Sequence, residues 1–228
     1  MYLWKCWRDT RSFFVAFLII AAAAIPVTAV VCKGTGLMHD FGADAVSATY
    51  GLLMTIITLG LGAIGAIHEF SDKSIHFLFT KPRSRAYFVW GGWVLGCAEV
   101  VAISLVNLTA GGLTLAAYSS DRFWPAFFHA LGKLPVMDIL LYGLVHYGMT
   151  YSLTAVLRSG LKGLAASMAV MTGYWNFAAL LHKLWNINVP VPAERIANLP
   201  VTASYCLWAL LAAFLVFGAQ RIVERAEV

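Results

Sequence analysis

Six long apolar stretches, joined by short polar segments, constrain the fold of this chain more than any other feature. Hydrophobic residues make up 61% and charged residues only 12% of the 228 residues, whereas soluble domains carry roughly 25% charged residues. A membrane-spanning helix needs about 20 mostly apolar residues, and lipid requires its backbone groups to pair within the helix. We therefore predict an all-α membrane protein, one transmembrane domain over residues 1–228, with six transmembrane helices at about 12–32, 46–67, 87–118, 135–157, 161–182 and 202–220.

Two of these stretches have unusual features. The first lies where a secretory signal peptide would lie, but its apolar run exceeds the usual roughly 7–15 residues, so we expect it to remain as a helix. The third, as one helix, would reach about 48 Å against a hydrocarbon core of about 30 Å. It must therefore tilt, protrude into the cytoplasm, or break near Gly111 and Gly112.

The lysine and arginine residues predict the orientation of the helices, because cytoplasmic loops carry an excess of both. With a cytoplasmic N-terminus, eleven of the 16 lysine and arginine residues lie inside. Both termini are then cytoplasmic, and we expect the protein in the cell (inner) membrane. This topology, together with anionic lipid, accounts for the net charge of +5. A nucleic-acid partner is not expected, because the basic residues are divided among four short segments.

The N-terminal segment Tyr2–Arg11 mixes tryptophans with basic residues directly before the first span. Aromatic side chains favour the depth of the lipid headgroups, and cations favour anionic lipid. We expect an interfacial helix in the plane of the membrane. An extended basic leader is the alternative.

Catalytic motifs are absent from the sequence. It contains no GxxxxGK[ST] phosphate loop, no GxSxG elbow, no HExxH pair and no CxxC pair. A disulfide between Cys32 and Cys206, near the outer ends of their helices, has no support from spacing, and two ordinary thiols are the alternative. We expect a chain that is not an enzyme and that holds no metal and no cofactor of its own.

Polar residues inside the apolar stretches are costly and often face a cavity or a partner. Glu99, Asn107, His146 and Asn176 are therefore candidates for a translocation pathway. Glu99 is either a cavity-lining or proton-linked carboxylate, or a structural partner of a serine, threonine or tryptophan on a neighbouring helix. Asn107 follows eight residues later, close to the same helix face. His146 and Asn176 are more typical of hydrogen bonds between helices.

Glycines predict where helices approach one another closely. Gly92 and Gly96 form a GxxxG pattern at the start of the third span, and Gly60, Gly62 and Gly65 lie at the end of the second. Both groups flank the polar segment between these spans, which indicates a tightly packed cytoplasmic end for this hairpin.

That polar segment, IHEFSDKSIHFLFTKPRSRA, is a short polar and basic insert between two long apolar stretches. Ser71 can cap a helix that ends before Pro82. Ile75, Leu78 and Phe79 share one face of this short helix. A helix of about ten residues is marginal alone in water, so we expect it to lie between its own bundle and another protein.

These residues carry a resemblance to a known family. An acidic residue after the second span (Glu69), a short amphipathic helix and the turn Lys81-Pro82-Arg83-Ser84-Arg85 resemble the permease subunits of type-2 ABC exporters. The resemblance implies that this cytoplasmic helix couples to a separate ATP-binding subunit, which would hold ATP and magnesium. The residues to which it assigns coupling are Glu69, Phe70, Asp72, Lys73, Ile75, His76, Phe77, Leu78, Lys81, Arg83 and Arg85.

The same resemblance implies a second permease chain, identical or related, in the lipid bilayer, and it implies no particular substrate. Three other classes stay open. A secondary transporter would use Glu99 as a proton carrier, although inverted repeats are not evident. An intramembrane enzyme is disfavoured by the lack of a nucleophile–base pair. The last is a structural subunit of a larger membrane complex.

Overall fold

The computed structural model describes residues 2–34, 43–70, 85–118, 122–133, 136–186 and 200–225. Over these residues the chain forms seven α-helices and no strand. The helices are α1 (Tyr2–Gly34), α2 (Ala43–Phe70), α3 (Arg85–Ala117), α4 (Phe123–Lys133), α5 (Val136–Leu157), α6 (Gly160–Trp185) and α7 (Val201–Arg225). All except α4 are long and apolar enough to cross a membrane. The predicted all-α class is confirmed. Six apolar helices of sufficient length are present, as in a multi-pass membrane protein.

The N-terminal segment is helical, but it is not a separate helix. It forms the first turns of α1, which runs without a break from Tyr2 to Gly34. No glycine or proline interrupts this helix before Pro26. Trp7 and Phe14 pack edge to face across the expected junction, with ring centroids 5.3 Å apart. The interfacial helix expected as a distinct element is therefore not observed.

The third span is one helix as well. α3 has 33 residues and continues through Gly111 and Gly112, so the break considered near these glycines does not occur. Space near Gly112 is filled by Leu131 and Phe127 of the short helix α4. At 1.5 Å per residue α3 is about 50 Å long, which leaves tilting or protrusion as the ways to fit a bilayer.

Helix α5 is the centre of the bundle. Twelve of its 22 residues are buried, and it packs against α2, α3, α6 and α7. Helix α1 packs against α2 and α3 on the far side of the core. The main core therefore combines residues of α1, α2, α3, α5 and α7, among them the fully buried Tyr50, Met54, Tyr147 and Tyr151.

The predicted glycine contacts are present, and the partners of Gly92 and Gly96 are tyrosines. A Cβ on Gly96 would overlap the hydroxyl of Tyr147, and one on Gly92 would lie 2.7 Å from the hydroxyl of Tyr151. On α2, a Cβ on Gly62 would lie 3.0 Å from the backbone nitrogen of Tyr151. Helices α2 and α3 thus approach α5 closely only because these positions lack side chains.

Helix α6 is attached to the bundle at one end only. Its buried residues are Gly160, Gly163 and Ser167, all within its first eight residues. From Met168 to Trp185 no residue is buried. Arg158, with a φ of 52°, and the N-cap Ser159 form the turn that sends α6 back along α5. Beyond this turn the rest of α6 leaves the core.

Candidate functional site

The predicted coupling residues lie at the adjoining ends of α2 and α3 and between them. Glu69 and Phe70 are the last two residues of α2, and Arg85 is the first of α3. The remaining eight lie outside the described residues, and the short amphipathic helix stays a prediction; they are Asp72, Lys73, Ile75, His76, Phe77, Leu78, Lys81 and Arg83.

Both helices that flank this segment are held firmly against α5. The Tyr151 hydroxyl donates to the carbonyl oxygen of Val89 at 2.9 Å, within the first two turns of α3. The Tyr147 hydroxyl donates to the carbonyl of Gly92 at 3.4 Å. On the α2 side, Ile67 lies against Gly160 at the start of α6. The ends of α2 and α3 that flank the segment are therefore joined to the bundle by close-packed contacts.

Glu99 is buried in the contact between α1 and α3. It is 5% exposed, and its Oε1 accepts a hydrogen bond of 2.7 Å from the Thr10 hydroxyl. A space of about 10 Å³ adjoins it, lined also by Cys6, Asp9 and Tyr147, and large enough for one water molecule at most. Asp9 in turn lies 3.7 Å from Arg8. The geometry matches the interpretation of Glu99 as a polar contact between helices.

Asn107 makes a second contact of the same kind. Its Nδ2 donates to the carbonyl oxygen of Ala21 at 2.8 Å, and the residue is fully buried. Ala21 lies beside Ala22, whose carbonyl has no helical partner because Pro26 lacks an N–H. Asn107 and Glu99 thus face α1 together, as their spacing of eight residues predicts.

His146 faces a different part of the molecule. It lies on α5 and lines a cavity of about 500 Å³ bounded by α5, α6 and α7, which we call the lateral cavity. Its Nδ1 lies 2.7 Å from the carbonyl oxygen of Tyr142. Because a carbonyl can only accept, Nδ1 carries the hydrogen and Nε2 of the neutral ring is left as an acceptor.

Asn176 lies on the outer half of α6 and is exposed. Its Nδ2 donates to the carbonyl oxygen of Thr172, one turn earlier in the same helix, at 2.8 Å. It therefore makes no contact with the buried polar residues of α3 or α5. Within this chain the four predicted pathway residues form no single path: Glu99 and Asn107 face α1, His146 faces the lateral cavity, and Asn176 faces outward.

Several polar residues of this region were not singled out from the sequence. Tyr147 and Tyr151 hold α3, and Ser152 lines the lateral cavity beside His146. The spacing of the two tyrosines, four residues apart and thus on one face of α5, was the available signal. Ser152 offered none, because serine is common in membrane helices.

Comparisons of the chain with protein-family models, with curated proteins and with solved structures find no match. A functional assignment therefore depends on the residues of this chain and on their arrangement.

Proposed function

We propose that this chain is the membrane-spanning permease subunit of an ATP-driven exporter of the type-2 ABC class. ATP would be hydrolysed, with magnesium, by a separate subunit on the cytoplasmic side. Two permease chains, identical or related, would form the pathway between them in the inner membrane, with all four termini in the cytoplasm. The order of six apolar helices and the residues from Glu69 to Arg85 support this proposal.

The observation that carries it is the attachment of both ends of the segment 71–84. Helix α2 enters the segment and α3 leaves it, and both are packed on α5 through Gly62, Gly92 and Gly96. Movement of an ATPase subunit bound to this segment would therefore shift α2, α3 and α5 together. In this mechanism nucleotide binding changes the populations of inward-open and outward-open states, with no covalent chemistry in this chain.

Two variants of the segment test the proposal. We expect an ATP-binding subunit to co-purify with the tagged chain in mild detergent. Glu69→Ala and Phe77→Ala should reduce the amount of this subunit, or separate its ATPase activity from transport, while leaving membrane insertion intact. Phe128→Ala, on the exposed face of α4, is the matched control and should behave as the parent chain.

A preparation that contains no ATP-binding subunit would contradict the proposal, and so would normal coupling in both segment variants. Against the secondary-transporter alternative, the space beside Glu99 has room for one water at most and offers no wide aqueous path. That alternative predicts transport driven by a pH gradient without any ATPase, which the same purified material can show.

A further inference from the structure

The lateral cavity arises from the way α6 and α7 pack on α5. Helix α7 keeps a buried stripe along its length, including Ser204, Trp208, Ala212 and Val216, whereas α6 is buried only in its first eight residues. The two helices therefore diverge and leave a cavity of about 500 Å³ between them. This volume lies within the range of roughly 300–1,000 Å³ that small-molecule sites occupy.

The lining of the lateral cavity is apolar and uncharged. It includes Met149, Leu153, Met171, Leu211 and Leu215, and no aspartate, glutamate, lysine or arginine is among the described residues that line it. Exposed residues form its rim, with Val170 and Trp175 on α6 facing Phe214 and Ile222 on α7. In a membrane the opening between α6 and α7 faces lipid, so a ligand can enter sideways from the bilayer.

His146 distinguishes the lateral cavity from an ordinary lipid-facing groove. His146 is 3% exposed, and its Nε2 forms no hydrogen bond with any residue that the structure describes. The ring is held in place by the bond from Nδ1 to the Tyr142 carbonyl and by contact with the Tyr142 ring, 4.0 Å between centroids. Its free acceptor is therefore fixed in orientation.

Ser152 also lines the cavity, but its Oγ is itself buried, without a hydrogen-bond partner among the described residues, and is not open to a ligand. Hydrocarbon chains cannot satisfy the acceptor of His146, and a polar group without a partner is unfavourable in an apolar environment. A ligand that brings a hydrogen-bond donor to Nε2 would remove this deficit.

We propose that the lateral cavity binds a neutral amphiphile, a molecule with a long apolar chain and one hydroxyl or amide group that donates to His146 Nε2. The uncharged lining favours a neutral ligand, since a charged head group would find no counter-charge there. This binding is independent of the proposed ATPase coupling. Only the further conclusion, that such amphiphiles are the exported substrates, rests on the proposed function.

Fluorescence quenching tests this proposal, because Trp175 and Trp208 line the cavity. The protein, in nanodiscs of unbrominated phosphatidylcholine, is titrated with 12-bromododecan-1-ol. We expect a saturable quenching component. With 1-bromododecane, which has no hydroxyl, the apparent affinity should be about tenfold weaker, the effect of roughly one hydrogen bond. The anion 12-bromododecanoate should also bind more weakly than the alcohol.

Matched variants locate the site. Gly218 lines the lateral cavity, and a Cβ added there would have no heavy atom within 4 Å, so a side chain can fill the cavity without a clash. Gly218→Leu should abolish saturable quenching. Gly173→Leu, at an equally open glycine of α6 outside the cavity lining, should not. His146→Phe should weaken binding of the alcohol about tenfold and leave that of the bromoalkane unchanged.

Equal, unsaturable quenching by alcohol and alkane would overturn the proposal, since it would show simple partition into lipid. Tighter binding of the carboxylate would overturn the neutral ligand class, and parent-like binding by Gly218→Leu would overturn the location. If His146→Phe fails to fold, the comparison of Gly218→Leu with its control Gly173→Leu still tests where the ligand binds. None of these measurements needs an ATPase subunit, so failure here and failure of the proposed function are distinguishable.

Discussion

Glu99 shows how a polar residue can be retained inside an apolar helix. Its carboxyl oxygen accepts from the Thr10 hydroxyl, and the same hydroxyl lies 3.1 Å from the carbonyl of Cys6. A hydrogen bond between helices in a membrane contributes about 0.6 kcal/mol on average and up to about 2 kcal/mol. Asn107 forms a second such bond, to the carbonyl oxygen of Ala21, so α1 is fixed relative to α3 at two depths.

Substitutions at Glu99 test this contact. Glu99→Gln keeps an acceptor of the same length, so the free energy of unfolding should fall by less than about 0.5 kcal/mol. Glu99→Leu should lower it by about 1 kcal/mol, because the Thr10 bond between the helices is lost. Reversible unfolding in mixed micelles measures both values.

A double-mutant cycle provides the control. In a Thr10→Val background the hydroxyl is already absent, so Glu99→Leu should cost measurably less than in the parent chain. Equal costs in the two backgrounds would show that Glu99 and Thr10 do not interact.

At this scale the sequence indicated which residues matter but not what they contact. The spacing of Glu99 and Asn107 correctly placed both on one face of α3. This face contacts Thr10 and Ala21 because α1 is the neighbour of α3. No local sequence pattern shows which helices pack together when they are distant in the sequence. The free acceptor of His146 depends likewise on its bond to Tyr142 and on the divergence of α6 and α7.

The elements of the bundle are joined by glycines on α2 and α3 that receive side chains of α5. This explains why the adjoining ends of α2 and α3 contain glycine at positions where a membrane helix could carry a larger residue. Gly96 and Tyr147 form the tightest of these contacts. A side chain at Gly96 would therefore have to displace Tyr147 or separate α3 from α5.

Gly96→Ala should destabilise the protein by about 1–3 kcal/mol through overpacking. Adding Tyr147→Leu removes the hydroxyl and the ring carbon Cζ, both of which the new Cβ would overlap, and should restore part of this loss. The fraction of monodisperse protein in size-exclusion chromatography and the free energy of unfolding measure both effects.

Gly51→Ala is the control at this scale, because a Cβ at Gly51 has no heavy atom within 4 Å. It should leave stability close to that of the parent chain. An equal loss in Gly51→Ala and Gly96→Ala would attribute the effect to helix glycines in general and not to the contact with Tyr147.

Element positions were predictable where the apolar pattern is long. The six apolar helices lie close to the stretches predicted from the sequence, because hydrocarbon length and backbone pairing leave little choice. Helix α4 was not predicted. Its 11 residues are too few to span a membrane, and aromatic residues such as Trp124 and Phe128 also suit a loop at the membrane–water interface. The continuity of α3 through Gly111 and Gly112, where Leu131 and Phe127 of α4 pack against Gly112, was not predicted from the sequence.

For the whole molecule, the distribution of lysine and arginine remains the basis of the orientation. Six crossings return the chain to the side on which it began, so the N-terminus, the segment 71–84 and the C-terminus share one side. The excess of lysine and arginine on that side predicts that it is the cytoplasm.

Labelling with a membrane-impermeant thiol reagent tests the topology in a background without native cysteines. Lys73→Cys should react only after the cytoplasmic face is made accessible, whereas Ser120→Cys, between α3 and α4, should react in intact cells. The reverse pattern would place the segment 71–84 outside and would remove the basis for an intracellular ATPase partner.

The single-ended attachment of α6 predicts a response to the thickness of the membrane. None of the 18 residues from Met168 to Trp185 is buried, so this part of α6 can match the local hydrocarbon depth by changing its tilt. Thinner bilayers will incline α6 further and thicker ones will bring it upright, and either change alters the gap between α6 and α7. Lipid composition can thereby regulate entry between these helices with no ligand bound at all.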